Sequence, residues 1–145
     1  MQSWGVPMEA VLLADGSGLS TANRLTCDTL VAVLDHLDDT GAVDGLPVAG
    51  RSGTLIDEFI GTPVEGRLSA KTGTLSNPPA DADPPEVKAL AGYFEASNGD
   101  VLEFALVLNG PGYVTADGYV SFWSALAERL ANHPAGPDVA ALGPR

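Results

Sequence analysis

Residues 71–74, Lys-Thr-Gly-Thr, combine the side chains of this sequence that are best suited to binding an anion. Lys71 is one of only two lysines in the chain. Its ammonium group and the hydroxyls of Thr72 and Thr74 can donate hydrogen bonds, and Gly73, which has no Cβ, lets a ligand backbone approach closely. The pattern therefore favours a carboxylate-binding strand. A strand-edge lysine that deters aggregation is the alternative interpretation of Lys71.

A second polar cluster lies in residues 15–23, where two glycines and two serines indicate a turn. Asp15 and Asn23 can hold such a loop through hydrogen bonds from backbone to side chain, so turn chemistry explains most of the cluster. A serine hydroxyl near a cleft also suggests a nucleophile, but Ser17 lacks the glycine spacing of a nucleophile elbow. We interpret the cluster as a structural motif near a cleft, formed by Asp15, Gly16, Ser17, Gly18 and Asn23.

Three predicted strands could position the Lys-Thr-Gly-Thr residues. They run from Val64 to Leu75, from Ala89 to Glu95 and from Leu102 to Leu108. Asn98-Gly99, between the last two strands, is a strong hairpin signal. The proline-rich segment from Ser76 to Glu86 cannot join a β-ladder, so we expect an exposed, mobile connection there.

Two amphipathic helices are predicted to cover this sheet. The first runs from about Cys27 to Leu37 with Thr26 as its N-cap, and the second follows Asp117 and ends near His133. The apolar run from Glu9 to Ala14 indicates a buried strand that enters the polar turn. This order of elements predicts an α+β fold, an antiparallel sheet with flanking helices, over residues 1–133. Residues 134–145 are expected to form a flexible tail.

The composition excludes several classes of function. A formal net charge of −12 and the lack of a basic cluster argue against nucleic acid as a partner. The sequence shows no signal peptide and no apolar run long enough to cross a bilayer. The one cysteine, Cys27, has no cluster of histidines or cysteines around it in sequence, so we predict neither a metal site nor a cofactor.

Taken together and in this order, the two polar motifs resemble those of the C-terminal part of penicillin-binding D-Ala-D-Ala carboxypeptidases of the penicillin-binding protein 4 type, peptidase family S13. The motifs are Asp-Gly-Ser-Gly-Leu-Ser at residues 15–20 and Leu-Ser-Ala-Lys-Thr-Gly-Thr at residues 68–74. The resemblance continues at residues 46–50, 53–55 and 91–93. The joint occurrence of the motifs is far more specific than either one alone.

The resemblance implies part of a serine β-lactamase/transpeptidase-like domain that cleaves peptidoglycan stem peptides through an acyl-enzyme. It implies that Lys71, Thr72, Gly73 and Thr74 bind substrate, with Lys71 and Thr74 also in catalytic roles. Lys71 would attract the carboxylate of the peptide or of a β-lactam, and the Thr72 and Thr74 hydroxyls would hydrogen-bond it. The Thr74 backbone N–H would be one oxyanion-hole donor. An extracytoplasmic location, in the periplasm or cell envelope, is implied as well.

The sequence departs from this family at the nucleophile. The family uses a serine in an S-x-x-K motif and a further S-x-N element, and neither occurs here. Thr21-Ala22-Asn23 imitates S-x-N, but its asparagine belongs to the Asp15 turn. We therefore expect the chain to be a fragment whose partner is the missing N-terminal catalytic portion of the same enzyme.

Three functions stay open at this point. The chain is part of a serine carboxypeptidase, a non-catalytic remnant that still binds peptidoglycan peptides or β-lactams, or an interaction module that uses its acidic surface and a strand edge. In isolation, a fragment would expose apolar surface and an unpaired edge, so self-association is expected.

Overall fold

Three consecutive β-strands form the centre of the structure, a computed structural model that describes residues 4–38, 40–76, 86–114 and 118–133. The strands are antiparallel and adjacent in the order β1-β2-β3. One α-helix precedes them and one follows, which confirms the predicted α+β class. The elements are α1 (Cys27–Asp38), short 3₁₀ turns at Ala42–Gly45 and Gly53–Leu55, β1 (Leu68–Leu75), β2 (Val87–Glu95), β3 (Val101–Asn109) and α2 (Val120–Ala131).

The predicted strands β2 and β3 and both helices are confirmed to within a few residues of their ends. Thr26 caps α1 as expected, because its Oγ1 accepts the Thr29 N–H at 3.1 Å. The predicted Asn98-Gly99 turn connects β2 to β3 as part of a five-residue loop, with Gly99 at φ +89°. Local capping and turn chemistry therefore decided the start of α1 and the connection between β2 and β3.

The first predicted strand begins later than expected. Val64 to Arg67 form turns instead of the start of β1, and the Leu68 N–H donates to the Val64 carbonyl at 3.1 Å. Gly66 has φ +71°, a left-handed conformation that cannot continue a strand. Val64 is nevertheless fully buried, so its side chain packs in the core although its backbone is in a turn.

The prediction of a buried strand from Glu9 to Ala14 is wrong. Leu12 makes a single bridge to Arg24, with N···O distances of 3.0 and 2.8 Å, and its side chain is 55% exposed. A turn closed by the Val11 N–H on the Met8 carbonyl precedes this bridge, and the Asp15 loop follows it. These two bends leave room for only one paired residue.

Two predicted segments lie largely outside the described residues. Residues 77–85 of the proline-rich connection and residues 134–145 of the expected tail are not described. Glu86, which was predicted to be exposed with that connection, is buried, so this part of the prediction is wrong. Its backbone carbonyl accepts the Gly110 N–H at 3.0 Å, and its Oε2 accepts the Gly112 N–H at 3.3 Å. These bonds tie the start of β2 to the loop after β3.

Among the described elements, each face of the sheet carries one helix. On the first face, alternate residues of the strands pack with α2 in one apolar core that includes Leu68, Leu90, Phe94, Phe104 and Trp123. On the second face α1 packs against β2 and β3. The Tyr93 hydroxyl donates to the Leu34 carbonyl of α1 at 2.6 Å. Within the described residues no helix is long and apolar enough to cross a membrane.

Gly92 lies where a side chain on β2 would meet the backbone of β1. It is paired with Ala70, and a Cβ added to it would lie 2.1 Å from the Ser69 carbonyl oxygen. Because that obstacle is backbone, Gly92→Ala should lower the free energy of unfolding by about 3 kcal/mol. Gly16→Ala is the control, since a Cβ there meets nothing within 4 Å. Urea unfolding of both variants tests this, and equal stability of the two would contradict it.

Glu103 faces α1 beside two other carboxylates. Burial, followed by the charges of Asp35 and Asp38, raises the pKa of Glu103, and burial with the same acidic neighbourhood raises the pKa of Tyr93 to about 12. An acid whose pKa is raised by folding binds its proton more tightly in the folded state. Its contribution to stability is therefore present below its ordinary pKa of 4.5 and is lost as pH rises through the raised value.

Glu103→Gln should therefore stabilise the chain at pH 7 by under about 1 kcal/mol, because it removes a charge from this cluster. The gain should shrink at pH 4, where the wild-type carboxyl is largely protonated. Thermal unfolding at the two pH values measures the difference, with the exposed Glu95→Gln as the matched control. A gain of the same size at both pH values would contradict the assignment.

Candidate functional site

The free edge of β1 is half covered. The Ala70 N–H donates to the Pro47 carbonyl at 2.9 Å, and the Ala49 N–H donates to the Leu68 carbonyl at 2.9 Å. Backbone groups of alternate residues in an antiparallel strand point to the same side. Thr72 and Thr74 therefore direct their N–H and C=O groups to the same edge as Leu68 and Ala70. Among the described residues, no strand covers the edge beyond Ala70.

The side chains of residues 71–74 surround this uncovered edge. Lys71 is exposed, and its Nζ donates to the Thr72 carbonyl at 2.6 Å, so the ammonium lies along the edge. The Thr72 Oγ1 donates to Thr54 Oγ1 at 3.0 Å. Gly73 lies close to Ala89 of β2, since an added Cβ would be 3.3 Å from the Ala89 Cβ. A cation, two hydroxyls and free backbone amides thus occupy one short stretch.

The Asp15 loop is organised by a single carboxylate. Asp15 accepts hydrogen bonds from the Ser17 hydroxyl at 2.8 Å, the Asn23 Nδ2 at 2.9 Å and the backbone N–H groups of Gly18 and Ser20 at 3.1 and 3.0 Å. The Asn23 Oδ1 in turn accepts the Ala14 N–H at 2.8 Å. Ser17 and Asn23 are therefore both occupied in holding the loop.

These bonds lower the pKa of Asp15 to about 2, with the Asn23 and Ser17 side chains as the largest causes. Hydrogen bonds to a carboxylate favour its charged form. Asp15 is thus ionised over the whole physiological range and holds the loop as an acceptor.

The loop and β1 line one cavity of about 560 Å³. Loop residues form one wall, residues 73–75 of β1 form another, and the second face of the sheet forms the apolar floor. The lining residues are Gly18, Ser20, Thr21, Asn23, Arg24, Leu25, Leu30, Gly73, Thr74, Leu75, Val87, Ala89, Val107 and Asn109. The structure therefore brings Gly18, Asn23, Gly73 and Thr74 together at this cavity. Asp15, Gly16 and Ser17 of the loop, and Lys71 and Thr72 of β1, do not line it.

A second cation, Lys88, lies beside the same edge and was not identified from the sequence. Its Nζ donates to Thr74 Oγ1 at 3.2 Å and lies 4.2 Å from the centre of the Tyr119 ring. The Tyr119 hydroxyl donates to Glu58 Oε1 at 2.6 Å. The scarcity of lysine is the signal that could have indicated this role, because Lys88 is the one lysine of the sequence that lies outside residues 71–74.

Acyl transfer needs a serine nucleophile with a lysine partner, and metal binding needs a cluster of ligand side chains. Both lysine ammonium groups donate to threonine oxygens, in the bonds described above, and neither has the serine partner that an S-x-x-K motif would supply. In the described ranges, no group of three His, Cys, Asp or Glu residues could hold a metal ion. The arrangement suits the binding of a carboxylate and of an extended peptide backbone.

Known proteins similar to this chain come from one carboxypeptidase family. Residues 1–132 match the model of the D-Ala-D-Ala carboxypeptidase 3 (S13) family. The chain is 36% identical over 138 residues to a D-alanyl-D-alanine carboxypeptidase of Actinomadura sp. (strain R39), covering 89% of this chain and 23% of that protein. It is 38% identical over 122 residues to the carboxypeptidase DacB of Mycolicibacterium smegmatis, covering 77% and 25% of the two chains.

The fold agrees as well. The structure of penicillin-binding protein 4 (dacB) from Haemophilus influenzae, complexed with a β-lactam, superposes with a TM-score of 0.72 at 27% identity, over 89% of this chain and 30% of that one. This chain spans about a quarter of the length of the two curated relatives above. Because the family model covers nearly the whole chain and a transpeptidase-like structure shares its fold, the chain belongs to the D-Ala-D-Ala carboxypeptidase 3 (S13) family.

Proposed function

We propose that this chain supplies the substrate-binding strand of a serine-type D-Ala-D-Ala carboxypeptidase that acts on peptidoglycan stem peptides outside the cytoplasm. The observation that carries the proposal is the uncovered edge of β1. Its outward backbone groups at Thr72 and Thr74 lie next to the Lys71 ammonium. An extended peptide can add to such an edge as a further strand, with its terminal carboxylate placed among cationic and hydroxyl donors.

Each residue of the edge has a part in this proposal. Lys71 and the Thr74 hydroxyl bind the terminal carboxylate of the peptide, or the carboxylate of a β-lactam. The Thr72 hydroxyl joins them when its proton turns from Thr54 Oγ1 to the ligand. The outward N–H of Thr74 donates to the carbonyl oxygen as it gains negative charge during attack. Gly73 leaves the space that the substrate backbone needs. The Asp15 loop forms the opposite wall and takes no part in proton transfer.

The nucleophile is proposed to come from sequence outside these 145 residues, because no S-x-x-K motif occurs within them. In that reaction the serine Oγ attacks the carbonyl of the penultimate D-Ala while the motif lysine accepts its proton. The peptide bond breaks, the terminal D-Ala leaves with a proton on its nitrogen, and water then hydrolyses the acyl-serine ester. The Lys71 strand contributes binding and charge stabilisation to both steps.

The second candidate is a non-catalytic chain that binds the same ligands. It is favoured by one observation, namely that the Lys-Thr-Gly-Thr strand is intact in a sequence without S-x-x-K and S-x-N. Both candidates require the same carboxylate site at the β1 edge.

Intact-mass spectrometry after incubation with a reactive penicillin separates the two candidates. We expect no covalent adduct on the 145-residue chain, because it lacks the acylating serine. A longer polypeptide, extended upstream in the coding sequence through the nearest S-x-x-K, should be acylated if the carboxypeptidase candidate is right. No acylation of either would leave only the binding candidate, and stoichiometric acylation of the 145-residue chain would refute the motif assignment.

Lys71→Met in the acylation-competent polypeptide tests the role of the strand. Loss of a charge-assisted bond to the carboxylate should slow acylation by about 10- to 100-fold. Arg129→Met is the matched control, since it also removes one positive charge but lies exposed on α2. Equal acylation rates for Lys71→Met and the control would contradict the proposed carboxylate site.

A further inference from the structure

We propose that Lys88 is a positioning residue for the β1 edge. It orients the Thr74 hydroxyl so that this group donates its proton to a bound carboxylate, and it adds a second positive charge to the site. The inference rests on the proposed function, because it assumes that the edge binds a carboxylate.

Lys88 is held in place by the sheet and by α2. It lies directly opposite Thr74 in the β1–β2 register, so both side chains project from the same face of the sheet. Its Nζ is 3.2 Å from Thr74 Oγ1, 4.2 Å from the centre of the Tyr119 ring and 5.3 Å from the centre of the Trp123 ring. Aromatic faces attract a cation at these distances. The ammonium is therefore fixed beside the Thr74 hydroxyl.

This contact restricts what the Thr74 hydroxyl can do. An ammonium group only donates hydrogen bonds, so Thr74 Oγ1 must accept from Lys88 and its own proton must point elsewhere. Ionised carboxylates only accept hydrogen bonds, and they match a hydroxyl whose proton is free. The neighbouring Thr72 differs, because its hydroxyl donates to Thr54. The bond from Lys88 therefore leaves the Thr74 hydroxyl proton available to a bound carboxylate.

The aromatic support of Lys88 is itself anchored to the loop beside β1. Tyr119 donates to Glu58 at 2.6 Å, and Phe59, the next residue, stacks on Trp123 with ring centres 5.6 Å apart. Phe59 has φ +65°, which is unfavourable for a bulky residue and is maintained here by this packing. The loop that contacts Thr72 through Thr54 therefore also fixes the rings around Lys88.

A purely structural role is the competing explanation, in which Lys88 only stabilises the packing of α2 on the sheet. The two explanations predict different behaviour when Thr74 is changed. A residue that acts through the Thr74 hydroxyl loses most of its influence on ligand binding once that hydroxyl is absent. A residue that only stabilises the fold alters thermal stability regardless of Thr74.

The test is an NMR titration of the full 145-residue chain with an N-acetylated D-Ala-D-Ala dipeptide and, separately, with the same dipeptide ending in a carboxamide. The variants are Lys88→Met, Lys88→Arg, Thr74→Val, the Lys88→Met/Thr74→Val double variant and Lys71→Met. Arg129→Met serves as the charge-matched control. Thermal unfolding of each variant reports the fold, and Lys88→Gln replaces Lys88→Met if the latter does not fold.

We expect Lys88→Met to weaken binding of the acid about 5- to 10-fold, as for loss of a partly exposed charge-assisted bond, and Lys88→Arg to bind within about twofold of wild type. In the Thr74→Val background, Lys88→Met should weaken binding of the acid by at most about a further twofold. This remainder is the effect of the lost positive charge. Binding of the carboxamide should be weak and insensitive to Lys88.

Two results would overturn the inference alone: wild-type binding by Lys88→Met while Lys71→Met is impaired, or an equal loss from Lys88→Met with and without the Thr74 hydroxyl. If wild type does not prefer the acid to the carboxamide, or if Lys71→Met binds like Arg129→Met, the proposed function fails and the inference fails with it.

Discussion

The half-covered edge of β1 is the constraint on which the rest of the structure depends. Backbone amides at a strand edge are strong hydrogen-bonding groups that must find a partner in protein, water or ligand. Pro47 and Ala49 satisfy the edge as far as Ala70 and then turn away. The outward groups at Thr72 and Thr74 are left to solvent or ligand, and the side chains best able to bind an anion lie at the same place.

The two faces of the sheet have different surroundings near this edge. The first face carries the apolar core with α2, and near Thr74 that core ends in the aromatic rings around Lys88. The second face carries α1 and forms the floor of the cavity that the Asp15 loop closes. A single strand thus lies between a packed aromatic support and an open cavity. Gly73 and Gly92 let β1 and β2 lie close together, since a Cβ at Gly73 would lie 3.3 Å from the Ala89 Cβ and one at Gly92 would overlap the β1 backbone.

The charges are distributed unevenly over the sheet. Acidic side chains gather where α1 meets β3, around Glu103, while both lysines lie beside residues 72–74. In a chain with a net charge of −12, this local pair of cations makes the β1 edge the place where an anion meets the least repulsion. The proposed recognition of a carboxylate therefore depends on local placement and not on net charge.

The sequence by itself determined the class of fold, the helices, strands β2 and β3, and the two polar motifs that indicate the family. Those features follow from short-range physics: apolar periodicity, the Thr26 cap, the Asn98-Gly99 turn and the distinctive residue types at 15–20 and 68–74. Tertiary structure alone decided the rest. The Glu9 to Ala14 run pairs at one residue because bends on both sides isolate it, and Glu86 is buried because its backbone and carboxylate meet the loop after β3. Lys88 reaches Thr74 only because antiparallel register places them opposite each other across 14 residues of sequence, a long-range relation that no local pattern encodes.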